Sequence, residues 1–166
     1  MSFGSDRGTH DGFCDPVGGL RSALGPVRDL DPAGNPGLKD DLLRFARHRS
    51  CEDAVFATWV LAAVRTGIGV EDGYLDTIGW LSWKSGRSRG ELRTIVRLGE
   101  LCELLPATGQ AWRDGRITTA AVEMIAAARV PDHDEELVAM EDEFLDPARI
   151  VSGFLGFSVD SRVGVR

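Results

Sequence analysis

The chain has 166 residues, a one-domain length with room for a buried core. Its formal net charge is −7, with 43% apolar and 27% charged residues, so it is not a uniformly basic coat for nucleic acid. Cys14, Cys51 and Cys102 are widely spaced and odd in number, which excludes a disulfide framework and a paired-cysteine metal knuckle.

Residues 1–38 hold eight Gly and four Pro and few large apolar side chains, and are expected to form a disordered leader. They carry neither the basic start nor the apolar run of an export signal. The longest apolar stretch, Val55 to Val64, is about half of what crosses a bilayer, and a cytoplasmic location is expected. Helical texture begins at Lys39. Leu42, Leu43, Phe45 and Ala46, then Val55, Phe56, Trp59, Val60, Ala63 and Val64, recur at three- and four-residue steps. His48-Arg49-Ser50 is expected to divide this stretch into two helices, and Thr66-Gly67-Ile68-Gly69 to end the second.

Asp72 is expected to cap a short helix holding Tyr74, Leu75, Ile78, Trp80, Leu81 and Trp83, ended by Gly86. Ser88-Arg89-Gly90-Glu91 has the form of a capping box and opens a long helix to Leu105, with Pro106 as its stop. A short helix over 107–113 ends at Asp114-Gly115. Thr118 then caps an alanine-rich helix through Arg129, stopped by Pro131. A helix over 132–145 follows, and Asp146-Pro147 opens one more. No alternating strand of useful length appears before Phe154. The expected fold is therefore all-α, a multi-helix bundle of six to seven helices over 39–149 with a helix-turn-helix-like centre, followed by an irregular tail over 150–166.

The charge is unevenly distributed. Residues 80–116 carry net +3, whereas residues 131–147 hold eight acids and neither Lys nor Arg. Arg89, Arg93 and Arg97 recur every four residues on one helix face, with Lys84 and Arg87 just before them. These five are the candidate phosphate contacts. The competing expectation is a solvated face on which Arg97 pairs with Glu100. The acidic run is expected either to be solvated or to shield the arginines. The helix after Thr118 has the position of a DNA-reading helix, but it has no Asn or Gln, and its Arg129 lies at the far end.

Catalysis finds little support. His10, His48 and His133 lie far apart, with no second His or Cys at ligand spacing. Asp132, His133 and Asp134 form at most a weak cation site. Phosphate loops, dinucleotide fingerprints and nucleophile elbows are missing from the sequence. No catalytic residue, metal, cofactor or small-molecule substrate is therefore expected. Trp59, Trp80, Trp83 and Trp112 fall on apolar helix faces and are expected in the core or at an interface.

An ordered series of motifs resembles a known family. It comprises Asp72-Gly73, Gly79-Trp80-Leu81-Ser82-Trp83, Gly86-Arg87-Ser88, Glu91-Leu92-Arg93, Val96-Arg97-Leu98, Leu104-Leu105-Pro106, Ala111-Trp112 with Gly115, and Ile117-Thr118 with Ala121. Together these resemble the domain of unknown function 222, the helical domain of the actinobacterial 13E12-repeat proteins. In that family the helical domain typically precedes an HNH nuclease module, where His, Asn and often Cys residues hold a metal. This sequence departs from the pattern. Asn35 is its one Asn, His133 its last His and Cys102 its last Cys, so no nuclease residue can be assigned. The resemblance implies a nuclease-associated helical domain without its nuclease, read as a truncated copy. Its implied partners are DNA, through the basic helix face, or protein: a second copy or an HNH-bearing relative.

Overall fold

The computed structural model describes residues 31–145. The chain divides into two compact units, 1–40 and 41–166, and the description of the second runs to Leu145. Among the described residues there are seven α-helices, one 3₁₀ turn and no strand. Of the expected leader over 1–38, residues 1–30 lie outside the described residues, as do the helix start at Asp146-Pro147 and the tail over 150–166; residues 31–37 form turns ahead of the first helix.

Helix α1 spans Leu38–Thr66 without a break. The expected division at His48-Arg49-Ser50 does not occur, because Ser50 is satisfied inside the helix. Its hydroxyl donates to the Ala46 carbonyl at 3.2 Å and accepts the Thr119 backbone N–H at 3.3 Å. A residue that favours caps is thus used mid-helix as a tertiary hydrogen-bond partner. The helix ends as expected, with Gly67 at φ 71° just beyond Thr66.

Helix α2 spans Thr77–Ser85. Its cap is Asp76 and not Asp72: the Asp76 carboxylate accepts the Gly79 N–H, while Asp72 accepts the Trp80 indole N–H at 3.1 Å. Tyr74 and Leu75 therefore precede the helix. Trp80 rests on Gly69, where a Cβ would lie 2.2 Å from the indole Cγ. Gly86, at φ 73°, ends the helix.

Helix α3 spans Arg89–Leu104 and α4 spans Pro106–Arg113; Leu105 is the hinge residue between them. Pro106 both stops one helix and opens the next, a first-turn position where its missing N–H costs nothing. Helix α5 spans Thr119–Ala128, capped by the Thr118 hydroxyl, which accepts the Ala121 N–H at 3.3 Å. The single helix expected over 132–145 is instead three pieces: a 3₁₀ turn at Pro131–His133, α6 at Asp134–Ala139 and α7 at Glu141–Phe144. The two acid clusters at 134–136 and 141–143 each suit a helix start, and the apolar repeat is poor, so short helices form in place of one long one.

The core gathers Ala54 and Ala57 from α1, Leu98 and Leu101 from α3, and Leu105. Ala111 and Trp112 from α4, Ile117, and Ala121 and Val122 from α5 complete it. Gly99 lets α1 and α3 approach closely, since a Cβ there would sit 3.0 Å from the Ala57 carbonyl oxygen. Trp112 is 1% exposed, and its indole N–H donates to the Thr119 hydroxyl at 3.2 Å. That hydroxyl donates in turn to Asp53 at 2.9 Å. This relay fastens the turn between α4 and α5 to the middle of α1. Among the described residues no helix is long and apolar enough to cross a membrane.

Candidate functional site

The five basic candidates lie on α2, α3 and the turn between them, but they do not act as one group. Arg89, at the first position of α3, reaches back to Asp76 at the start of α2, 2.6 Å away. Gly79 makes the room, because a Cβ there would lie 2.6 Å from the Arg89 guanidinium. Asp76 thus caps α2 and ties it to α3. The Gly79 N–H first, and Arg89 second, hold its carboxyl below the ordinary carboxylate range. Arg89 is a clamp between helices.

Arg87 is also engaged. Its guanidinium lies 4.9 Å from the centre of the Phe56 ring and 2.6 Å from Glu91. Its carbonyl accepts the Ser82 hydroxyl at 2.7 Å, which fixes the turn. The capping box is consequently half formed. Ser88 accepts the Glu91 N–H at 3.1 Å, but the Glu91 side chain turns to Arg87.

Lys84, Arg93 and Arg97 remain exposed, and none has an ion-pair partner among the described residues. Arg97 donates to the Thr94 hydroxyl at 3.0 Å instead of pairing with Glu100. It lines an open recess of about 180 Å³ between α3 and α5, shared with Thr94, Leu98, Glu123, Ala126 and Ala127. Glu123 places a carboxylate in the same recess, opposing a phosphate there. The start of α5 is turned toward α1 through Thr119, and Ala121 and Val122 are buried.

The acidic run is partly tied down. Asp134 receives two hydrogen bonds from Arg129, at 2.7 and 2.6 Å, which lower its pKa. Glu141 accepts the Thr108 N–H at 2.7 Å, capping α4 from outside it. His133 lies 3.2 Å from Glu136. None of these contacts reaches Lys84, Arg89, Arg93 or Arg97. Among the described residues, no three His, Cys, Asp or Glu side chains gather as metal ligands would.

The tryptophans separate into two kinds. Trp112 is core and Trp80 is half-buried, whereas Trp59 is 60% exposed and Trp83 76% exposed. Sequence periodicity missed this difference, because exposure depends on which helix faces are covered. No family model, curated protein or solved structure matches the chain.

Proposed function

We propose that this chain is a non-catalytic helical module that binds another protein through exposed aromatic side chains. The observation that carries the reading is the exposure of two large aromatic side chains, Trp59 on α1 and Trp83 on α2. Tryptophan left in water is costly in apolar area and is enriched where partners bind. The motif resemblance to the domain of unknown function 222 supports the same reading, since a helical domain beside a nuclease has an assembly role open to it. The test is cross-linked affinity capture with the parent chain and with Trp59→Asp and Trp83→Asp. Both positions are exposed, so both variants are expected to fold, with circular dichroism as the check. A partner lost with either variant supports the reading; the same proteins captured in every lane overturn it.

A second reading, DNA association, is favoured by one observation: Lys84, Arg93 and Arg97 are exposed cations that form no close ion pair among the described residues. Arg87 and Arg89 belong to the scaffold in this version. Binding would weaken steeply with salt, and Arg93→Ala with Arg97→Ala would flatten that slope. A gel shift that stays blank at low salt removes this reading.

A further inference from the structure

The outward face of α1 carries a second seam. Phe45, His48, Glu52, Val55, Trp59 and Ala62 follow one another at alternating three- and four-residue steps. All six are exposed. From Ser50 onward the bundle is packed against the other side of the helix, through Ser50, Ala54, Ala57, Val60 and Leu61, whereas residues 42–49 are exposed on every side. Alternating three–four spacing keeps side chains in line along a supercoiled helix pair, so the covering shape that fits is another helix of similar length.

We propose that a second copy of this chain covers the seam, forming an antiparallel α1–α1 pair about a two-fold axis level with Ser50. The inference rests on reading this face as an interaction surface. In this register Phe45 meets the partner's Val55 and His48 meets the partner's Glu52, and the two-fold axis makes each contact twice. Apolar meets apolar, and the imidazole N–H meets a carboxylate. In the same register Trp59 falls opposite the partner's Asp41 and Ala62 opposite the partner's Leu38, so each outer end of the seam sets the indole beside a carboxylate near the start of the partner's α1.

The alternatives pair worse. A parallel arrangement sets each residue beside itself and brings the two Glu52 carboxylates together. An antiparallel register half a heptad away sets Glu52 against the partner's Val55. The next one sets it against the partner's Ala62. Each leaves Glu52, in the middle of the seam, covered by apolar surface with nothing to accept from. The seam is only about 27 Å long at 1.5 Å per residue. A strip of that size is smaller than a standard interface, so a weak, concentration-dependent pair is expected.

The experiment is sedimentation velocity on the full chain across a wide concentration range. The expected mass rises from that of one 18.0 kDa chain toward twice that value. Val55→Asp is expected to abolish the rise, and Trp83→Asp to leave it unchanged. Glu52→Lys is expected to weaken association by roughly tenfold, because it replaces the carboxylate that accepts the imidazole N–H with a cation. Adding His48→Glu to Glu52→Lys is expected to restore it, because the swapped pair meets again in this register. A monomer at every concentration overturns the self-pairing, while capture of a different partner through Trp59 or Trp83 would leave the broader reading standing. A dimer indifferent to Val55→Asp and Glu52→Lys overturns the site. A dimer lost in Glu52→Lys and not rescued by the double swap overturns the register.

Discussion

Thr108 is fully buried in α4, and its hydroxyl has no hydrogen-bond partner among the described residues. Its backbone N–H is the group that Glu141 captures. Replacing the hydroxyl by a methyl group of the same shape removes an unsatisfied polar atom and keeps the packing. Thr108→Val is therefore expected to raise stability by about 1 kcal/mol, read as a higher urea midpoint. Gly69 gives the opposite sign. Its φ of +89° suits glycine, and a Cβ would collide with Trp80. Gly69→Ala is expected to cost roughly 2 kcal/mol or more, with a matching change in tryptophan fluorescence. Cys102 has a thiol pushed up to about 11 by burial, so slow alkylation at pH 8 is expected, measured by mass spectrometry. The thiol's chemistry follows from its burial, which composition does not contain.

At the scale of elements, most helix ends follow from local chemistry. Ser88 and Thr118 accept from the N–H three residues on, and Gly86 and Gly115 take positive φ just beyond the ends of α2 and α4. Ser88→Ala is expected to cost about 1 kcal/mol. The thermal midpoint reads it, and Glu91→Gln in the same assay is expected to cost less, since Glu91 serves Arg87 and not the cap. Two of the boundaries that sequence placed wrongly share a cause. Ser50 and Asp72 both have a side chain suited to starting a helix. In the folded chain Ser50 receives Thr119, 69 residues away in sequence, and Asp72 receives the Trp80 indole. In both cases a donor beyond the first turn took the oxygen that would have capped the helix.

At the scale of the whole molecule, the ion pairs hold separate helices to one another. Arg65 grips Glu103 with two 2.5 Å hydrogen bonds, joining α1 to α3, while Asp76–Arg89 joins α2 to α3 and Arg129–Asp134 joins the end of α5 to α6. Each pairing lowers the pKa of its carboxyl, and for Asp76 the Gly79 N–H contributes most. A carboxyl with a lowered folded pKa adds stability above its unfolded value, and that stability is lost as pH falls through the folded value. The chain is thus expected to lose stability below about pH 4, where ordinary carboxylates begin to protonate. Urea midpoints measured from pH 6 downward read the loss. Asp76→Asn is expected to make the slope shallower, and high salt to shrink it, because the Arg65–Glu103 and Asp76–Arg89 pairs are open to solvent.

The sequence by itself determined the all-α class, most helix ends and the segregation of charge, because helix periodicity and capping act over three or four residues. It also marked the basic residues as a group, since their spacing is local. Only the tertiary structure decided what that group does. Arg89 found Asp76 thirteen residues away and Arg87 found Phe56, so two of the five cations became scaffold. In the same way the fold, through contacts distant in sequence, buried Trp112 and left Trp59 and Trp83 outside. Spacing states which side chains share a face of a helix. Whether another element covers that face is decided by packing across the molecule, and here the outer face of α1 is left uncovered among the described residues.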